Sequence, residues 1–550
     1  EIAEAISAQQ RALELTREGH PDMAERLANL GTSIHSRFEH TGDLQHITQA
    51  ISMKRRAVDL TPGSHPDMAE RLANLGTSLW SRFEQTGDHQ DIAEAISAEQ
   101  RALELTPEGH PDMAERLANL GTSIHSRFEH TGDLQDLAQA ISMKQRALEL
   151  TPEGHPDMAL GLNNLGTSIH SRFERTGDLQ DITEAISMKR RAADLTPVGD
   201  PNMASRLANL GHSLRSRFER TGDLQDLAEA ISAEQRALEL TPDGHPEMAE
   251  RLAGLGTSHW SRFEHTGDLH DLVEAISTEH RALELTPEGH PDMALRLANL
   301  GCSLRSRFDR TGDLQDLAEG ISAKQRALEL TPEGHPDMAQ RLANLGMSLR
   351  SRFNRTGDLQ DLAEGISAQQ RALELTPEGH PDMAFRLANL AASIHSRFQD
   401  TGDLQDIAEA ISMKRRAVDL TPEGHPVMAQ RLAGLGSSLW SRFEHTGDLQ
   451  DLVEALSAEQ RALELTPEGH PDMAERLAGL GSSLWSRFDH TGDLQDVAEA
   501  ISAEQRALEL TPDGHPDMAQ RLANLGDYFE TRFGSTGEIR DLTEALSKYR

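Results

Sequence analysis

Histidine is the residue that first suggests chemistry in this chain. There are 26 histidines, beside 90 acidic side chains and a single cysteine, Cys302. Imidazole and carboxylate together are the donor set of zinc sites, and on one helix such ligands stand three or four residues apart. No two histidines have that spacing. His35 and His40 are five apart, which turns them about 140° from each other around a helix. Eleven of the others stand directly before proline, from His20-Pro21 to His515-Pro516, where they read as helix caps rather than ligands. Cys302 has no fixed histidine to activate it as a nucleophile, and no glycine-rich phosphate loop precedes a lysine. The expectation is therefore no catalytic residue, no metal and no cofactor, and a protein that is not an enzyme.

Charge narrows the partners. With 90 Asp and Glu against 54 Lys and Arg the formal charge is −36, which repels nucleic-acid phosphates and anionic membranes. Neither is expected as a partner. One cysteine allows no internal disulfide and fits a reducing compartment. No apolar run approaches the ~20 residues that span a bilayer, and no signal segment opens the chain, so a cytoplasmic location is expected. Glu1 falls in mid-repeat, so further chain before it is an open expectation.

What must position any functional side chain is a repeat. His-Pro recurs at His20, His65, His110 and His155; Asp200 takes the place next, and the series resumes from His245 to His515, always in steps of 45. A fixed period of this size signals a solenoid of stacked units. In residues 20–64, Pro21 suits the first turn of a helix capped by His20, with Asp22 at its positive end. Asp200 can replace histidine because it too caps. Met23, Leu27, Leu30, Ile34 and Phe38 then form one apolar stripe. Thr41-Gly42 ends this helix A and Asp43 caps helix B. Leu44, Ile47, Ile51 and Val58 form the second stripe, and Thr61-Pro62 stops it. Helix A is expected at about 19–21 residues and helix B at about 17–18. Residues 1–19 read as a lone helix B, 20–514 as eleven such pairs, and 515–550 as a twelfth, divergent pair. Tyr528, Phe529, Gly534 and Tyr549 mark that last pair as a cap or a transition.

Leu27, Leu30-Gly31, Ile34, Ala50, Ala57 and Pro62 resemble the signature of the tetratricopeptide repeat. The resemblance implies an all-α, right-handed superhelix whose helix A faces line a concave groove for a partner protein or peptide. This unit has 45 residues rather than 34, and Lys54 stands where the family carries an aromatic, so helix packing there must differ. The His-Pro-Asp and Leu-Ala-Asn-Leu-Gly wording is similar to the longer repeats of kinesin light chains, and still more to fungal arrays that accompany nucleotide-binding ATPase or CHAT-type protease domains.

Comparing the copies within the chain shows where they vary. On helix A the freest places are those of Glu25, Thr32, His35 and His40. The first three lie within about 80° of one another, nearly opposite the apolar stripe. The His35 place holds His35, His125, His170 and His395; Trp80, Trp260, Trp440 and Trp485; Arg215, Arg305 and Arg350; and finally Glu530. The Glu25 place changes to Leu160, Ser205, Leu295, Gln340 and Phe385, and the Thr32 place to His212, Cys302, Met347 and Asp527. Trp and Arg are over-represented among binding hot spots. These places are expected to form a groove for a peptide with acidic and apolar side chains, with tryptophan packing between neighbouring A helices as the alternative. His259, on the apolar stripe, is expected to be neutral and half-buried. Arg37, repeated in every copy, is expected to tie to an aspartate near the start of helix B, absent only where His46 stands. The function expected is a non-enzymatic binding scaffold. The rival expectations are the regulatory arm of a larger ATPase or protease, and end-to-end self-association.

Overall fold

The computed structural model describes residues 2–512, 515 and 517–548. These form 25 helices and no strand. The helices fall into two compact units, Glu1–Leu285 and Thr286–Arg550. The first runs from α1 (Ile2–Glu14) to α13 (Leu269–Glu284), the second from α14 (Met293–Thr311) to α25 (Ile539–Lys548). Each unit is an all-α solenoid of helix pairs with a period of 45 residues.

The punctuation of each pair follows from a few side chains. In α2 (Met23–Thr41) the Asp22 amide donates to His20 Nδ1 at 3.2 Å, so the histidine caps the turn that opens helix A. Asp200 does the same for Asn202, at 2.8 Å. Gly42 adopts φ +66°, the left-handed conformation that glycine tolerates best, and its amide closes the helix on the Phe38 carbonyl at 2.7 Å. Asp43 then caps α3 (Leu44–Asp59) by accepting from the Gln45 amide at 2.9 Å. A helices are 19 residues long and most B helices 16, slightly shorter than expected for B.

Packing uses both expected stripes. Phe38, Ile47 and Ile51 bury against Leu75, Leu79 and Ala95 of the following pair, each large side chain contributing about 1.5–3 kcal/mol. Neither helix could bury its stripe alone. Leu44 departs from its assignment to the stripe. It is 44% exposed, because it is the first residue of α3 and its side chain leans back toward the connection, where no helix covers it. A Cβ at Gly31 would meet Lys54 Cγ at 2.8 Å and the Ala50 carbonyl at 3.2 Å; the missing side chain lets the two helices approach.

The arginine tie is present. Arg82 donates to both carboxylate oxygens of buried Asp91, at 2.6 and 2.5 Å. The same fork recurs in later pairs through to Arg532 and Asp541. At His46, by contrast, the imidazole Nδ1 meets Thr41 Oγ1 at 3.1 Å. His259 is buried rather than half-buried and lies 2.9 Å from Asp271 Oδ1. Burial pushes the Asp271 carboxyl up, but its bonds to Arg262 and His259 outweigh that and hold it below the usual range.

Candidate functional site

Residues 45 apart fall at equivalent points of successive A helices, so each variable place becomes a row within its unit. The row of Glu25 is open. Glu25 is exposed, and Leu160, Leu295 and Phe385 remain 51%, 48% and 41% exposed. A cleft of about 390 Å³ beside Leu160 is bordered by Glu115, Lys144 and Leu148. Another of about 290 Å³ beside Phe385 is bordered by Arg350, Lys414, Val427 and Arg431.

The row of His35 lies deeper than the sequence suggests. His35, His125, His170 and His395 are buried. Trp80, Trp260, Trp440 and Trp485, like Arg215, Arg305 and Arg350, are half-buried. The physical reason is the neighbouring A helix, which covers one flank of this place. The Trp80 indole N–H reaches Ser126 Oγ on the next A helix at 3.0 Å, and Trp440 reaches Ser486 at 3.1 Å. Of the groups assigned to the groove, the histidines are thus held inside the wall, and the Glu25 row is what faces outward. Cys302, half-exposed, lies 3.7 Å from Asn344 Nδ2.

Beneath the row sits a buried polar group. Lys54, where the family carries an aromatic, is 4% exposed. Its ammonium donates to Ser78 Oγ at 2.7 Å and to the Asn74 carbonyl at 3.1 Å, and lies 3.3 Å from His35 Nδ1. Lys189 and Lys414 repeat this with His170 and His395. Lys144 reaches His125 through Ser168. Burial and the adjacent ammonium push His35 and His395 down to about 4 and His170 to about 3, while burial brings Lys54 to about 8 and Lys189 to about 7. The imidazoles of His35, His170 and His395 are thus neutral, and Nδ1 accepts from the lysine in one tautomer or donates to the serine in the other.

Where the row holds Trp, the partner position holds a glutamate instead: Trp80 with Glu99, Trp260 with Glu279, Trp440 with Glu459 and Trp485 with Glu504. Every histidine in the row goes with lysine and every tryptophan with glutamate. Arg215 takes Glu234, in an ion pair of 3.0 Å. Burial pushes Glu99, Glu459 and Glu504 up to about 7. The signal was present in the sequence as a correlation between two places 19 residues apart.

Three possible metal ligands also come together. His170, Glu174 and His212 place their ligating atoms within 4.8 Å of one another. Two of them lie on different helices, 42 residues apart, which a search for ligands along one helix does not find.

Stacked helix pairs with a small residue at the A–B contact define a helical-repeat protein. The family model described as tetratricopeptide repeat matches residues 113–157, 203–247, 293–337 and 338–382. These four segments, about a third of the chain, are tetratricopeptide repeats of a long variety, the other helix pairs repeat the same 45-residue pattern, and such repeats generally serve as protein-interaction scaffolds. No curated protein matches the chain. Solved structures similar to it include an APC/C hetero-tetramer of Cut9 and Hcn1, at 14% identity and TM-score 0.40, covering 96% of this chain and 98% of that one. A human IFIT1 dimer with PPP-AAAA has 14% identity and TM-score 0.42, covering 93% and 95%. BtubC from P. vanneervenii has 19% identity and TM-score 0.32, covering 44% and 95%. Among the described residues no helix is long and apolar enough to cross a membrane.

Proposed function

We propose that the protein is a non-enzymatic scaffold that holds a peptide segment of a partner protein along the outward face of its A helices. The observation that carries this is the contrast between a nearly constant framework and the Glu25 row. There a charged residue gives way to exposed Leu160, Leu295 and Phe385, of which Leu160 and Phe385 lie beside open clefts. It is their place in a row that varies between otherwise similar copies, rather than their exposure alone, that supports a role in binding. The cleft at Phe385 brings apolar Val427 together with Arg350, Lys414 and Arg431, a lining suited to an apolar side chain followed by a carboxylate. The half-buried tryptophans and arginines lend their outer edges to this surface, and His35, His125, His170 and His395 form its floor.

The test is to capture a partner with the full chain and compare Phe385→Glu and Leu160→Glu with the unchanged protein. Each variant is expected to weaken the captured complex by about 2 kcal/mol, roughly thirtyfold, as at interface hot spots. Helicity by circular dichroism should stay the same, because both side chains are exposed. Full affinity in both variants would reject the surface.

A further inference from the structure

The strongest unassigned cluster lies in the first unit, between α8 (Met158–Thr176) and α10 (Met203–Thr221). We propose that His170, Glu174 and His212 form a binding site for one divalent transition-metal ion of the zinc class, clamping the two A helices together.

Geometry supplies the argument. His170 and Glu174 are one helical turn apart, and His170 Nε2 stands 3.7 Å from Glu174 Oε1. The His212 ring lies 4.9 Å from the His170 ring, nearly perpendicular to it at 85°. Two imidazoles and a carboxylate are ligands that zinc accepts, with donors about 3.3 Å apart in a tetrahedron of bonds near 2.0–2.1 Å. The three donors, within 4.8 Å of one another, must close to that spacing, and Glu174 and His212 are the exposed side chains that would turn. Ser216 Oγ, 3.1 Å from His170 Nε2, holds that nitrogen's lone pair in the metal-free protein and turns away when an ion binds.

The surroundings fix the ring that must bind. Ser213 Oγ lies 3.1 Å from His170 Nδ1, so it can accept that proton and leave Nε2 free for the metal. The Lys189 ammonium lies on the far side of the ring, 3.4 Å from Nδ1, and gives its bonds to Ser213 Oγ at 2.8 Å and the Asn209 carbonyl at 3.4 Å. Arg215 is turned toward Glu234 and the Gly254 carbonyl, both at 3.0 Å, and Arg175 lies over the Phe128 ring. Their hydrogen bonds and ring contact are thus made to other groups, although Lys189 and Arg215 remain near enough to disfavour protonation of His170 and His212.

The repeat contains its own controls. His35 with Glu39 and His125 with Glu129 make the same one-turn pair, at 3.7 and 3.1 Å. In both cases the next A helix offers threonine, Thr77 or Thr167, where His212 stands here. The third ligand occurs only at the one junction.

Zinc(II) and cobalt(II) titrations of the full chain test this. The unchanged protein is expected to bind one equivalent of either ion, with cobalt showing the visible absorption of a tetrahedral nitrogen–oxygen site. His212→Thr installs the residue that sister units carry there, so the fold should be kept, and affinity should fall by more than about tenfold. Thr77→His should create a second equivalent beside His35 and Glu39. The proposal is overturned if no equivalent binds, or if His212→Thr binds as tightly as the unchanged chain.

Discussion

At Glu99 a carboxyl group is shut away beside Trp80, and its Oε2 finds no hydrogen-bond partner. Burial pushes it up to about 7, against the opposing effect of its bond to Ser123. Between the ordinary carboxylate range and about 7 the unfolded chain is ionised while the folded chain keeps its proton. Stability therefore falls as pH rises through that window and is flat above it. Replacing Glu99 by Gln removes the effect, and Gln369 already occupies the same place in another pair. Relative to the unchanged chain, Glu99→Gln should be more stabilising at pH 8 than at pH 5, by about 2–3 kcal/mol in denaturant titrations; equal effects at both pH values would mean the carboxyl is not proton-bearing. The buried lysines run in the opposite sense: with Lys189 lowered to about 7, its contribution rises above that pH toward the ordinary lysine range. The caps were legible from residue type alone, because His20, Gly42 and Asp43 act on their own neighbours. The burial of His35 and Lys54 was not, because it depends on a helix 43 residues further on, which brings Ser78 against the imidazole.

Between elements, the closest approach is made where two glycines face each other. A Cβ at Gly301 would meet the Gly320 carbonyl at 2.9 Å, and one at Gly346 the Gly365 carbonyl at 2.7 Å, against 3.2 Å to the alanine carbonyl at Gly31. These two pairs gain contact but carry glycine inside helix B, which costs roughly 1 kcal/mol each relative to alanine. Gly320→Ala with Gly365→Ala should raise the melting temperature and slow amide exchange across residues 290–379, with the helices moving apart to the spacing seen at Ala50. A lowered melting temperature would show that the tighter contact outweighs helix propensity. The 45-residue period and the two stripes were readable because 3.6-residue periodicity is local. Leu44 was misplaced because the end of a stripe depends on how far the neighbouring helix extends.

On the scale of the whole chain, each unit carries its stacking surface from pair to pair, and the last pair is different. Where earlier pairs have a serine, as at Ser78 and Ser483, the last has Tyr528, buried and stacked on Trp485 at 5.9 Å. Leu525, Tyr528 and Phe529 cover Leu484, Phe488, Val497 and Ile501. Tyr549, also unique to this pair, lies outside the described residues. We propose that this pair acts as a cap. Removing residues 515–550 should therefore reduce solubility more than removing one internal pair, measured as soluble protein against concentration; equal losses would count against a capping role.

The matched His–Lys and Trp–Glu pairs have a consequence for how such a chain can change. Both members of each pair lie inside one 45-residue unit, and the neighbour contributes the same serine almost everywhere. Unequal exchange between copies can then lengthen, shorten or reorder the array while keeping each histidine of the row with its lysine, so long as the breakpoints fall between units. A break between the two members would part the histidine from the lysine beside it, as His35 stands beside Lys54. Exchange of whole copies therefore carries the buried His–Lys contact along with the surface residues of the same unit.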